Sequence, residues 1–366
     1  MSDRVKDKYR LDGHKLYWHL DRVLAWQRGE RVAPLHIDVG LSKGCNIKCH
    51  YCFGMAQGNR YRKGRDIYFP REPLLRYMRE AGQAGVRSLA IIGEAEPLLN
   101  PHVYEAIVTG KRAGADMGLG TNGVLYDMGR QGQEALEYLT FLRFNISAAS
   151  AEAYKRLHAS PDFDTLMQKV RFCLEERRRR GLAVTIGFQM VLTPQDADQA
   201  VPLARLGREL GIDYLEIKHC GDTPDNTLGI YDKLDTYDRF TEILQEAEEL
   251  STDSYSVIVK WANISSQGKR SYDACLGGPL LIYSSGDGLL YPCGQFFSYR
   301  EEEFRLGNLV EQSFREIIES DHYWEVMERL RTQVDVHSEC YSSCKTNAIN
   351  AFLWHLKHPP QHVNFV

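Results

Sequence analysis

Two hydrophobic patterns alternate along the chain from about residue 35 to residue 218. Short runs rich in β-branched and aromatic residues, typical of buried strands, are followed by longer segments whose apolar residues recur at helical spacing. Six strands are predicted, at residues 35–41, 88–92, 117–120, 142–147, 183–192 and 214–218. Helices are predicted near residues 70–83, 101–112, 162–180 and 195–210. This succession predicts an α/β fold built of βα units with a parallel sheet.

The segments on either side of the βα units have different patterns. Residues 1–33 form an N-terminal extension, with a predicted helix whose apolar face packs outside the sheet. The βα region at residues 34–230 is followed by a charged helical linker at residues 231–264. Residues 265–350 are predicted to form a second domain with a hairpin and scattered cysteines, and residues 351–366 a tail. The chain is long enough for one large domain and one smaller one.

Composition restricts the class of protein. With 43% hydrophobic and 26% charged residues, the chain is typical of soluble globular proteins, and a net charge of −4 gives no nucleic-acid footprint. No apolar run approaches the ~20 residues of a membrane span, and the N-terminus lacks the apolar core of a signal peptide. Nine cysteines without such a signal indicate a reducing cytoplasm, where clustered cysteines are metal ligands.

Three cysteines follow the first predicted strand within a few residues. Cys45, Cys49 and Cys52 have the spacing C-x3-C-x2-C, and Tyr51 precedes the last of them. Four thiolates would close a site around a structural zinc ion, whereas three leave a tetrahedral metal, or one iron of a cubane cluster, open to another ligand. The alternatives are a zinc knuckle completed by His50 and buried thiols without a metal.

In this motif and its position after a strand, the chain resembles radical S-adenosylmethionine (SAM) enzymes. The resemblance implies a partial (β/α)6 barrel. It also implies a 4Fe–4S cluster on the three cysteines, with SAM bound through its amino and carboxylate groups to the fourth iron. Tyr51 is then expected near the adenine.

A second motif, Gly93-Glu-Ala-Glu-Pro97, closes the second predicted strand. The sites of parallel-sheet enzymes lie at the carboxyl ends of strands, where a carboxylate and backbone carbonyls can accept the N–H groups of the SAM ammonium. The family has Gly-Gly-Glu-Pro here. Glu94 and Ala95 replace its two glycines, and Glu96 matches, so both glutamates are expected to contact SAM. A plain βα turn is the alternative.

The resemblance implies further contacts with SAM. Polar residues in or after strands three to five are expected near its ribose and methionyl groups: Asn122, Ser147 and Gln189. In several relatives an arginine after the fourth strand pairs with the SAM carboxylate. The basic residues near that place are Lys155, Arg156 and His158, and surface helix charges are the alternative for each.

The sixth strand ends in Lys218-His219-Cys220. Alternation places Lys218 and Cys220 on one face and His219 on the other. Lys218 is a candidate base or substrate ligand if burial lowers its pKa. Cys220 is a candidate hydrogen-atom donor to a carbon radical, because its S–H bond is weak, and a small buried thiol is the alternative. We take all three as candidate catalytic residues.

A second set of cysteines lies in the C-terminal region: Cys275, Cys293, Cys340 and Cys344. The first two flank two strand-like runs around a Gly-Asp-Gly turn. The order resembles the twitch half of the SPASM/twitch families, which holds one auxiliary 4Fe–4S cluster, and four thiolates suffice for it. A zinc ribbon is the alternative.

These resemblances imply an oxidoreductase or epimerase with SAM and two 4Fe–4S clusters. SAM cleavage would give a 5′-deoxyadenosyl radical that abstracts hydrogen from a sugar- or aminocyclitol-like small molecule. An electron donor such as flavodoxin or ferredoxin is expected, with no nucleic-acid or membrane partner. One alternative is a leader-independent peptide maturase, since only 44 residues precede Cys45, fewer than the ~80 of a leader-binding domain. A non-catalytic iron–sulfur or zinc protein is the remote alternative.

Overall fold

The computed structural model describes residues 8–9, 14–56 and 67–365. Within them, ten strands form one sheet and two short strands pair separately. In chain order the strands are β1 (His36–Val39), β2 (Ser42–Lys43), β3 (Ile67–Tyr68), β4 (Ser88–Ile91), β5 (Asp116–Thr121), β6 (Leu139–Asn145), β7 (Thr185–Leu192), β8 (Tyr214–His219), β9 (Ser256–Val259), β10 (Leu281–Ser284), β11 (Leu289–Tyr291) and β12 (Gly307–Asn308).

The large sheet is parallel through its centre and antiparallel at one end. Its order is β12-β11-β10-β1-β4-β5-β6-β7-β8-β9, and neighbours from β10 to β9 run parallel. The six predicted strands are present, and β9 is a seventh that the sequence analysis missed. Because β10 pairs with β1, the C-terminal hairpin is continuous with the barrel sheet.

Helices cover the outside of the sheet. In chain order the α-helices are α1 (Leu20–Gln27), α2 (Phe53–Ala56), α3 (Arg71–Gln83), α4 (Val103–Arg112), α5 (Arg130–Tyr138), α6 (Ala151–His158), α7 (Phe163–Arg180), α8 (Ala200–Leu210), α9 (Thr241–Glu249), α10 (Trp261–Ser266), α11 (Glu301–Phe304), α12 (Phe314–Glu319), α13 (Asp321–Gln333) and α14 (Asn347–Lys357). Short 3-10 helices are His14–His19, Pro97–Leu99, Ala197–Gln199, Tyr231–Phe240 and Gly294–Phe297. The segment predicted as a linker, Tyr231–Phe240 with α9, is the crossover from β8 to β9.

Aromatic rings fill the amino-terminal end of the barrel. Gly118 and Gly187 face the rings of Phe141 and Tyr214, and a Cβ atom at either glycine would overlap the ring. The Tyr9 ring stacks on Tyr214, with centroids 4.7 Å apart. Open space in the barrel is therefore concentrated toward the carboxyl ends of the strands.

Among the described residues, helices near both ends of the chain meet outside the barrel. The predicted N-terminal helix is a 3-10 turn followed by α1, and the rings of Tyr17 and Phe352 meet edge to face at 5.2 Å. The tail predicted from residue 351 begins inside α14, and residues 355–365 are exposed to solvent. Among the described residues, none of the helices has the length and hydrophobicity needed to cross a membrane.

Candidate active site

The three clustered cysteines line one cavity at the carboxyl end of the sheet. Cys45, Cys49 and Cys52 surround it with the loops after β4 to β8, and its volume is about 280 Å³; we call it the cluster cavity. The Ser42 hydroxyl donates to the Glu96 carbonyl oxygen at 2.7 Å, and the Glu96 N–H donates to the Gly44 carbonyl oxygen at 3.0 Å. These bonds fix the start of the cysteine loop against the loop that follows β4.

Burial strongly affects the cysteine thiols. It raises the pKa of Cys45 to about 12, and it raises the pKa of Cys49 well above its ordinary value. Neighbouring thiolates add to the effect, since negative charge on Cys52 raises both values. Iron binding at these cysteines therefore requires the release of thiol protons.

His158 connects the cysteine loop to the segment that follows β6. Burial lowers its pKa to about 3, so the ring is neutral. The Ser147 backbone N–H donates to Nε2 at 3.1 Å, which leaves the ring proton on Nδ1, 3.1 Å from Cys49 Sγ. The Ser147 hydroxyl donates to the Tyr51 hydroxyl at 2.8 Å. Tyr51 and His158 line the cluster cavity, and Ser147 supports them from behind.

Predicted polar residues also line the cluster cavity, among them Glu94, Glu96 and Asn122. The Glu96 carboxylate accepts from the Leu98 N–H, the Thr121 hydroxyl and the Asn122 N–H, at 3.0, 2.5 and 2.8 Å. It therefore positions Asn122, whose side chain donates to Asn46 Oδ1 at 2.8 Å within the cysteine loop. Glu94 accepts from the Ser285 hydroxyl at 2.8 Å and so ties the cavity to the C-terminal hairpin.

Other predicted residues lie elsewhere. Lys155 and Arg156 are exposed on α6 and are not among the residues around the cluster cavity. His219 is buried beside Tyr237, with ring centroids 5.7 Å apart, and faces away from the cavity as alternation predicted. Lys48, inside the cysteine motif, does line the cavity. The sequence analysis missed it, although a lysine between two candidate ligands is a readable signal.

A second cavity of about 310 Å³, the barrel cavity, adjoins the first. Phe53, Glu94, Gln189 and Lys218 line both cavities. The barrel cavity also contains charged side chains that the sequence analysis missed: Asp38, Arg143, Glu216, Lys260 and Lys345. Charged residues inside otherwise apolar strands were the available signal for Arg143 and Glu216.

The second cysteine set lies beside the barrel cavity. Cys344 lines that cavity, and the neighbouring Tyr341 ring packs on Phe53, with centroids 5.1 Å apart. Burial, followed by the charge of Cys344, raises the pKa of Cys275 to about 12. The same two causes raise the pKa of Cys340 and Cys293, so all four thiols lie within electrostatic range.

Asn350 of α14 holds the loop that carries Cys275. Its Oδ1 accepts from the Leu276 and Gly277 N–H groups at 2.8 and 2.7 Å, and its Nδ2 donates to Cys275 Sγ at 3.6 Å. This amide is buried. It therefore acts as a second layer of support behind a candidate ligand.

The residues present fit the cofactors that the motifs imply. Thiols are the ligands of iron–sulfur clusters, and the three cysteines face a cavity rather than the core. Gln189 is buried, and its Oε1 has no hydrogen-bond partner among the described residues. An acceptor left open in this way suits a ligand that carries N–H or O–H donors, as SAM does.

Comparisons with known proteins agree with this fit. The radical SAM superfamily model matches residues 39–207, and that of the SPASM iron–sulfur cluster-binding domain matches residues 278–346. An AdoMet-dependent heme synthase from Methanosarcina barkeri is 24% identical over 336 residues, which are 84% of this chain and 88% of that protein. A GTP 3′,8-cyclase from Synechococcus sp. is 27% identical over 194 residues, 50% and 54% of the two chains.

Two solved structures share the fold. Streptococcus suis SuiB bound to S-adenosylmethionine superposes with a TM-score of 0.64 at 17% identity, covering 92% of this chain and 79% of that one. The structure of anSMEcpe with bound AdoMet gives a TM-score of 0.52 at 17% identity, covering 90% of this chain and 98% of that one. The cofactors of the chain are thus SAM and 4Fe–4S clusters, one at the SAM site and one auxiliary. With both domains matched, the chain belongs to the radical SAM superfamily and is an enzyme of its SPASM/twitch type.

Proposed function

We propose that this enzyme dehydrogenates a polar small molecule of the sugar or aminocyclitol type. One observation carries the proposal: the barrel cavity extends from Gln189 and Lys218, which also line the cluster cavity, to Cys344 of the second cysteine set. A substrate there lies beside both proposed cluster sites. The volume of about 310 Å³ is at the lower end of the range for small-molecule sites.

In this proposal Lys218 is the base. Burial, reinforced by the Arg143 guanidinium, lowers the pKa of Lys218 to about 8, so part of the amine is neutral near neutral pH. When loaded, the cofactor sites supply a SAM-dependent removal of a hydrogen atom from carbon and an acceptor for one electron. Lys218 takes the hydroxyl proton. One C–H and one O–H bond of the substrate break, and a C=O bond forms.

Cys220 supports a second candidate reaction, epimerisation. Its buried thiol lines the cluster cavity, 3.6 Å from the Tyr51 carbonyl oxygen. Burial raises its pKa to about 12, so it stays a thiol and can give a hydrogen atom to a carbon radical. Among the described residues around the barrel cavity, however, Lys218 is present and Cys220 is absent. This difference favours dehydrogenation.

Peptide modification is the alternative substrate class. Solved structures with this fold include SuiB bound to the precursor peptide SuiA and anSMEcpe with a Cp18Cys peptide. A peptide could present one side chain to the barrel cavity. In either case a small redox protein such as flavodoxin or ferredoxin is the proposed source of electrons.

Mass spectrometry of reaction products tests the proposal. Anaerobically reconstituted enzyme is given SAM, dithionite and a panel of sugars, aminocyclitols and short peptides. We expect a small molecule to lose two hydrogens with one SAM consumed per product. Lys218→Met and Lys218→Arg should both abolish the loss, because arginine stays protonated and cannot act as the base. Unchanged mass in H2O together with a gain of one deuterium in D2O, a gain lost in Cys220→Ala, would establish epimerisation instead. Turnover of peptides alone would overturn the small-molecule proposal.

A further inference from the structure

The barrel cavity contains more positive than negative side chains. Its described lining includes four basic residues, Arg143, Lys218, Lys260 and Lys345, and three carboxylates, Asp38, Glu94 and Glu216. Lys345 is neutralised locally, because its Nζ lies 2.5 Å from Asp38. Burial raises the pKa of Glu94 to about 6, which weakens its ionisation. Since Lys218 is also the proposed base, the cations left in excess are Arg143 and Lys260.

Arg143 and Lys260 share one carboxylate, which neutralises neither cation fully. The Arg143 Nη1 lies 3.6 Å and the Lys260 Nζ 3.5 Å from the same oxygen, Glu216 Oε1. Both distances exceed that of a good charge-assisted hydrogen bond, about 2.8 Å. Arg143 Nε has no hydrogen-bond partner among the described residues, and this side chain is only 6% exposed.

This arrangement lowers the stability of the fold unless a further group pairs with the two cations. A buried cation costs several kcal/mol of desolvation unless opposite charge and hydrogen bonds compensate. Here Arg143 and Lys260 face one carboxylate, so a group with negative charge and acceptor oxygens is the missing partner. A planar guanidinium beside an ammonium is suited to an oxyanion.

We propose that the substrate carries an oxyanion, a carboxylate or a phosphate, which binds between Arg143 and Lys260. This inference rests on the proposed small-molecule function and deepens it. Arg143 and Lys260 line only the barrel cavity, whereas Lys218 lines both cavities. Glu216 and Lys218 are two residues apart on β8, a rise of about 7 Å. The anion is thus held deep in the barrel, and the reacting carbon lies toward Lys218.

The consequence for specificity is a preference among similar sugars. A sugar acid or sugar phosphate neutralises the excess positive charge at Arg143 and Lys260, and a neutral polyol does not. An aminocyclitol without an acid group adds a further cation to a positive cavity. The anionic members of the proposed substrate class are therefore favoured over the aminated ones.

Four probes that share one ring test this inference: glucose, glucosamine, glucuronate and glucose 6-phosphate. Their binding to SAM-loaded, reconstituted enzyme is measured by anaerobic calorimetry. We expect at least one anion to bind about tenfold or more tighter than glucose, and glucosamine to bind weakest. Glucuronate and glucose 6-phosphate separate a carboxylate from a phosphate.

Variants of Lys260 test whether the preference for an anion arises at this site. Lys260→Met should remove most of the preference for the anion, and Lys260→Arg should retain it. The proposal would be overturned if the four probes bound equally, or if no anion bound up to about 10 mM. Binding of an acidic peptide alone, or an unchanged preference in Lys260→Met, would also overturn it. SAM cleavage in the same samples keeps the two proposals apart, because cleavage without charge preference refutes only the oxyanion site.

Discussion

Replacing His158 by leucine should change both the stability of the fold and the reduction potential at the proposed SAM cluster. The ring accepts from the Ser147 N–H at 3.1 Å, lies 3.1 Å from Cys49 Sγ and stacks on Tyr154 with centroids 4.2 Å apart. Leucine fills much of the volume but makes neither polar contact. A buried N–H left without an acceptor costs about 1–3 kcal/mol.

The effect on potential follows from the Nδ1–H contact. A hydrogen bond to a cluster thiolate stabilises the reduced, more negative state more than the oxidised state. If the difference is about 1–1.4 kcal/mol, the typical net value of one hydrogen bond, its loss lowers the midpoint potential by about 40–60 mV for one electron. His158→Leu should therefore make the cluster harder to reduce.

A redox titration followed by electron paramagnetic resonance measures the shift. SAM addition identifies the signal of the cluster that binds it, and urea denaturation of the same protein measures stability. His158→Gln is the matched control, since its amide can accept from Ser147 and donate to Cys49. A midpoint potential unchanged in His158→Leu, or lowered equally in both variants, would refute the hydrogen-bond reasoning.

Three further outcomes are expected. Asn350→Leu removes the acceptor of two buried backbone N–H groups. It should lower the free energy of unfolding by about 2–5 kcal/mol, measured by urea denaturation, and should lose the iron of one cluster, measured by iron analysis. Asn350→Asp should keep the fold. Because burial lowers the pKa of Lys218 to about 8 and the base must be neutral, kcat/KM should rise about tenfold per pH unit below pH 8 and level off above it; a flat profile contradicts that role. Glu96→Ala frees the Asn122 N–H and should weaken SAM binding about tenfold or more in equilibrium dialysis, with Glu96→Gln intermediate; unchanged binding would exclude the positioning role.

The grouping of the three cysteines at the carboxyl end of the sheet can be predicted from sequence because the features involved are local. Cys45, Cys49 and Cys52 lie in one loop, and the loop follows a strand whose β-rich pattern is unambiguous. Carboxyl ends of neighbouring parallel strands meet at one edge of a sheet, so Glu96 and Asn122 were expected near that loop. Both predictions require only short segments and one rule of topology.

The barrel cavity could not be predicted in the same way. Asp38, Arg143, Glu216 and Lys345 come from widely separated segments, and Lys345 contacts Asp38 across 307 positions of the chain. The strand β9 was missed because its four residues follow a charged helix that reads as a linker. Non-local strand pairing leaves no signal in local hydrophobic periodicity.

Formation of 5′-deoxyadenosine from SAM tests the central claim most directly. Reconstituted enzyme, reduced by dithionite under anaerobic conditions, is compared with a variant in which Cys45, Cys49 and Cys52 are alanine. We expect the wild type to form 5′-deoxyadenosine, and the variant to form none while it retains the auxiliary iron held by the C-terminal cysteines. No product from the fully loaded wild type, or equal product from the variant, would contradict the account.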